Sequence, residues 1–279
     1  MGLQGQRDSV RDRAPWSAFW NRGGVWRAVL AAVVYLALYL GAGWAIGRLF
    51  PGRVDTENLF ADAQSVFLGL MLPLIVGAVT LAAFVFSLGW FRVLFARQSV
   101  GGRWWMWIAP VAIVISIVLR LLGIPYSSYP VSVVVLTFAT GLFVGFTEEI
   151  LTRGIVVKML RDAGKSEWVV MVISSAIFAL LHSTNVFSGM SVLTVVLTVL
   201  FAFGFGICMY LTLRVTGSLL AAMVIHGLYD PTIFLATGGL DHTGDNAGQS
   251  VFLTLAAPAN VVFIALGIVS LIAVRGRSR

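Results

Sequence analysis

The chain has 279 residues, of which 59% are hydrophobic and only 11% charged. Soluble domains carry about 25% charged residues, so an ordinary water-soluble fold is excluded and the composition is that of a membrane protein. The formal charge of +7 is no nucleic-acid footprint either, because the basic residues gather on one side of the apolar stretches.

Residues 1–24 are polar and arginine-rich and read as a cytoplasmic tail, with no apolar region ending in a small-residue cleavage site. Residues 25–279 read as one transmembrane domain. About 20 apolar residues span a bilayer core. Stretches near that length run over Ala28–Ile46, Val66–Leu88, Trp104–Leu119, Val131–Ile155, Trp168–Leu181, Val192–Leu213, Leu219–Leu235 and Phe252–Val274. The expected fold is therefore all-α, a polytopic bundle of about eight membrane helices. Pro51–Gln64 and Gly238–Gly248 replace apolar runs with turn formers and acids, and read as external loops.

The basic residues orient the bundle. Arg22, Arg27, Arg92, Arg97, Arg103, Lys158, Arg161, Lys165, Arg214 and Arg275 flank the spans at one end, whereas Arg48, Arg53 and Arg120 fall at the other. This positive-inside bias predicts a multi-pass protein of the cell membrane with both termini cytoplasmic. Cys208 is the single cysteine, so neither an intramolecular disulfide nor a cysteine-cluster metal site is available.

The fourth apolar stretch carries Glu148, Glu149 and Arg153, where embedded charges are costly and therefore informative. Glu149 and Arg153 are four apart and share a helix face, so they can pair, while Glu148 points about 100° away. Left unpaired in an apolar cavity, Glu148 is placed to accept and return a proton. Phe178 and His182 lie four apart on the fifth stretch, and His226 and Asp230 four apart on the seventh. Pro231 cannot donate the helical hydrogen bond, which frees the Gly227 carbonyl and loosens the helix there. Structural alternatives exist for each: an ion pair, a packed histidine, and a His–Asp bond that fixes a bend. His242, in the external loop, reads as incidental. No His-Glu-x-x-His string or Gly-x-Ser-x-Gly string occurs, although Glu148, Glu149, His182, His226 and Asp230 could hold zinc by composition.

Taken in order, Glu148-Glu149-x-x-x-Arg153, Phe178-x-x-x-His182 and His226-x-x-x-Asp230 resemble the signature of the CPBP family. These are CAAX-protease and bacteriocin-processing membrane proteins, also called Abi proteins. The likeness covers about residues 141–231, and the stretch before it fits only as generic membrane helices. The resemblance implies an intramembrane endopeptidase acting on a peptide or membrane-associated protein; the family was long treated as metalloproteases, and a glutamate mechanism without a cofactor is the reading preferred over a zinc one. It implies Glu148 as general base, His182 holding the water, and His226 with Asp230 at the oxyanion. Glu149, Arg153 and Phe178 would support them. Prenyl-protein proteases use asparagine where this chain has Asp230, which must then be protonated or must orient His226 instead. A proton-coupled transporter and an idle immunity or scaffold protein are the competing functions, though paired repeats expected of a transporter are absent.

Depth opposes this constellation if the helices are straight. Glu148 lies ~26 Å into its span from the outer side, near the cytoplasmic edge, while His182 lies ~21 Å in from the cytoplasmic side. A break at Gly141, Gly145 or Gly154, or a shifted end to the fifth span, is expected to bring them together.

Overall fold

A computed structural model describes residues 15–98, 100–238 and 250–275. Every regular element among them is helical. Among the described residues eight helices are long and apolar enough to cross a membrane: Val25–Leu49, Ala63–Ser87, Trp104–Gly123, Val131–Asp162, Glu167–Phe187, Val192–Thr216, Leu219–Thr237 and Val251–Ala273. They are called spans 1 to 8 below, and they match the eight apolar stretches of the sequence one for one.

Local chemistry fixes the ends. Asp62 caps span 2 by accepting from the Ser65 amide at 2.8 Å, and this hydrogen bond with the Ser65 hydroxyl holds its carboxyl below the usual aspartate range. Ser191 and Ser218 cap spans 6 and 7 through the amides of Thr194 and Ala221. Gly217 closes span 6 in the left-handed conformation, at φ 66°, which allows the tight turn into span 7.

Spans 4 to 7 form the interior. Ile150, Leu151, Ile155 and Met159 of span 4 are fully covered, as are Ile207, Met209, Tyr210 and Leu211 of span 6. Spans 1 and 8 instead present Val33, Val261 and Ile272 outward, an apolar exterior suited to lipid. At the end predicted to be cytoplasmic, Glu167 is buried and clamped by Arg161 through two bonds of 2.9 Å. Arg214 lies 3.6 Å from the same carboxylate, and the Tyr210 hydroxyl also donates to it. This network ties the ends of spans 4, 5 and 6 together and so sets the level of everything above it.

Two stretches differ from, or escape, the sequence reading. Within the expected polar tail, Pro15–Asn21 forms a short helix because its aromatic side chains find partners: Trp20 is buried against Phe84 and Trp90 bonds Asn21 at 2.9 Å. Residues 239–248 of the expected external loop, with His242, and residues 1–14 lie outside the described residues.

Candidate active site

Spans 4 and 7 approach each other at glycine. A Cβ on Gly145 would collide with the Met223 carbonyl and the Gly227 backbone, and one on Gly141 with Pro231 and the Gly227 carbonyl. Only hydrogen fits there, so the backbones touch and their side chains meet at one level. The last turns of span 4 are wound wider. After Glu149 the helix adopts π geometry over Ile150–Val156 and then continues as α-helix to Asp162. Such π segments recur at functional sites because they re-aim neighbouring side chains.

This continuation corrects the expected depth. Span 4 does not end at Ile155, and none of the three glycines breaks it. Glu148 stands about 14 residues above Asp162, and His182 about 15 above Glu167, so the two are ~21 and ~22 Å above the same end. Span 7 starts deeper, with Leu219 packed on Gly154, and the rise from there to His226 equals that from Gly154 to Glu148 within a residue. Glu148 consequently faces His182, His226 and Asp230 together.

The geometry centres on His226, which is 1% exposed. Its Nδ1 lies 2.8 Å from Glu149 Oε1, so the ring N–H donates to that carboxylate. Its Nε2 stands 3.6 Å from Asp230 Oδ2 and 3.9 Å from Glu148 Oε2, both beyond a hydrogen bond. The side chains of Glu148 and Asp230 keep 21% exposure each, while Glu149 and Arg153 have none. Glu148 Oε2 itself has no hydrogen-bond partner.

Glu149 therefore does more than pair with Arg153. It lies 3.3 Å from Arg153 Nη1 and bridges that guanidinium to His226. Arg153 is anchored in turn by the Gly206 carbonyl at 2.7 Å, by the Thr152 hydroxyl, and by the Phe178 ring 4.5 Å from its Cζ. Phe178 also flanks His182 at 5.1 Å and His226 at 5.6 Å between ring centroids, so one aromatic face sets three polar groups. His182 begins the 3-10 turn His182–Ser188, and its Nδ1 donates to the Phe178 carbonyl at 3.1 Å. In the neutral ring this leaves Nε2 unprotonated, an acceptor for a water hydrogen.

Several contributors were not read from the sequence. Tyr35 and Tyr39 of span 1, four residues apart, lie near Glu148, and Tyr35 also reaches Thr147. Two tyrosines at helical spacing in an otherwise apolar span were the available signal. Gly206 is a second case, since a Cβ there would press on Phe178 and Arg153. Arg120 is buried with Ser116 and lies 4.9 Å from the Tyr229 ring, next to Asp230 in sequence. Among the described residues no three histidine, cysteine or carboxylate side chains are grouped as a metal ion would require.

Residues 130–232 match the family model described as Rce1-like, type II CAAX prenyl endopeptidase. That segment contains Glu148, Glu149, Arg153, Phe178, His182, His226 and Asp230, and leaves span 1 with its tyrosines outside. No curated protein matches the chain.

Proposed function

With residues 130–232 matching the Rce1-like family model, we propose that this membrane protein is an endopeptidase of the CPBP (Abi) family. It hydrolyses a peptide or membrane-tethered protein at the junction of spans 4, 5 and 7. The observation that carries the reading is the ring of His226. Glu149 engages its Nδ1, while its Nε2 stands uncommitted between Glu148 and Asp230.

In this mechanism a water rests between Glu148 and the free Nε2 of His182. Glu148 takes its proton as the oxygen attacks the scissile carbonyl carbon, and the carbonyl π electrons move onto oxygen. The oxyanion is met by His226, protonated on both ring nitrogens, and by a protonated Asp230, each donating one hydrogen bond. Collapse of the tetrahedral intermediate breaks the C–N bond, and Glu148 returns its proton to the leaving amine. Glu149 holds the His226 ring rather than taking part in transfer, because Arg153 and Nδ1 already occupy its Oε1. The notion that Asp230 orients His226 is weakened by the same distances, 2.8 Å to Glu149 against 3.6 Å to Asp230.

The test is cleavage of a membrane-peptide library by the purified protein, read by mass spectrometry with and without a strong chelator. The proposal expects cleavage in both conditions. A protein that cleaves nothing under either condition, while folded, overturns the protease reading. Loss on chelation that zinc restores overturns the metal-free mechanism.

A further inference from the structure

Below the site, toward the end of the bundle that the basic residues assign to the cytoplasm, lies a cavity of about 460 Å³. Its lining includes Arg92, Arg97, Arg153, Lys158 and Arg161, against one acid, Asp162. These cations are not equally engaged. Arg161 is held by Glu167 and Gln98, and Lys158 by Asp162 at 2.5 Å and by the Trp90 ring at 4.8 Å. Arg92 and Arg97 are exposed, and neither enters an ion pair among the described residues. Arg153, 1% exposed, also borders the cavity, and its Nε–H has no acceptor.

Cations concentrated in a concave site call for an anion, and planar guanidinium forks suit the oxygens of a phosphate better than a point charge would. The rim indicates where that phosphate comes from. Arg92 sits on the short helix Phe91–Phe95, whose Phe91 and Val93 project outward as exposed apolar side chains. The exposed Phe86 ring stacks on Phe91 at 5.2 Å between centroids. A soluble anion has no use for an apolar rim at the bilayer edge, whereas a lipid places its phosphate at that level and its chains alongside. We propose that this cavity binds the phosphate of an anionic phospholipid headgroup, with Arg92 and Arg97 as its principal ligands. The proposal rests on the cytoplasmic assignment of this end and is independent of proteolysis.

The experiment measures binding to the purified full chain in detergent, by native mass spectrometry and tryptophan fluorescence, without any turnover. The probes are short-chain phosphatidylglycerol, short-chain phosphatidylcholine and inorganic phosphate. Wild type is expected to bind phosphatidylglycerol at least tenfold more tightly than phosphatidylcholine. Arg92→Gln with Arg97→Gln should weaken phosphatidylglycerol at least tenfold, roughly the loss of one charge-assisted hydrogen bond. Arg22→Gln with Arg275→Gln removes equal charge from exposed positions at the same end and should change binding less than twofold. Equal loss in the two double variants, or equal binding of the two lipids, overturns the site. Inorganic phosphate binding as tightly as the lipid overturns the lipid assignment. Should the glutamine variant fold poorly, Arg92→Lys with Arg97→Lys retains charge without the fork and should still weaken binding severalfold; unchanged binding there refutes the guanidinium role.

Discussion

Replacing Glu149 by glutamine tests the link between structure and chemistry at its narrowest point. The carboxylate is fully buried, 2.8 Å from His226 Nδ1 and 3.3 Å from Arg153 Nη1. Both neighbours are donors. Both meet the same oxygen, Oε1, so in Glu149→Gln an amide oxygen can take its place, but it carries no charge and leaves the buried Arg153 guanidinium without its carboxylate. Breaking a buried pair from one side costs about 3–5 kcal/mol. The lower end applies here, because Arg153 keeps the Gly206 carbonyl, the Thr152 hydroxyl and the Phe178 ring. At roughly 2–4 °C per kcal/mol for a chain of this size, a loss of about 3 kcal/mol lowers the melting midpoint by ~6–12 °C. Intrinsic tryptophan fluorescence during heating in detergent reads that shift directly. Peptide turnover should fall as well, since His226 loses the partner that holds its ring. A midpoint within about 1 °C of wild type would refute the bridge. So would a double variant with Arg153→Met whose loss equals the sum of the two singles, because coupled residues are not additive.

Three other perturbations report on separate parts of the account. Gly145→Ala should destabilise the protein by about 1–3 kcal/mol and cut turnover together, because the added methyl forces spans 4 and 7 apart; an unchanged melting midpoint would show that the helices are not in backbone contact. Asp230→Asn should retain much of the activity, because an amide also donates to the oxyanion, whereas Asp230→Ala should lose about 10²-fold or more; equal losses in the two variants rule out the donor role. Asp62, whose carboxyl lies below its ordinary range, contributes stability that is present above about pH 4 and lost as pH falls through the lowered value. Asp62→Ala should therefore cost about 1 kcal/mol at neutral pH and flatten the acid limb of stability; parallel acid limbs in thermal melts would remove the cap from the account.

The spans were legible because twenty-residue apolar runs leave a bilayer-crossing chain little choice. The Glu149–Arg153 pair was legible for a similar reason, since four-residue spacing on a helix is a local fact. What spacing could not deliver was contact between helices. The bond from His226 to Glu149 crosses 77 residues of chain and depends on glycines that let spans 4 and 7 touch. The depth error had the same origin. Lys158, Arg161 and Asp162 looked like the polar end of a membrane helix, but the Glu167 clamp lets the helix carry these charges past the apolar run. Tyr35 and Tyr39 were overlooked because tyrosines in an apolar span resemble packing residues until a carboxylate is found beside them.

The central claim is that the Glu148 carboxylate activates water. It is tested most directly by comparing wild type with Glu148→Gln in single-turnover cleavage of a membrane peptide, at matched folding. Glutamine preserves the shape and the half-buried position but cannot take a proton. The account predicts a melting midpoint close to wild type with turnover lost by at least 10²-fold, the lower bound for a positioned general base. A folded Glu148→Gln that cleaves at the wild-type rate would contradict it.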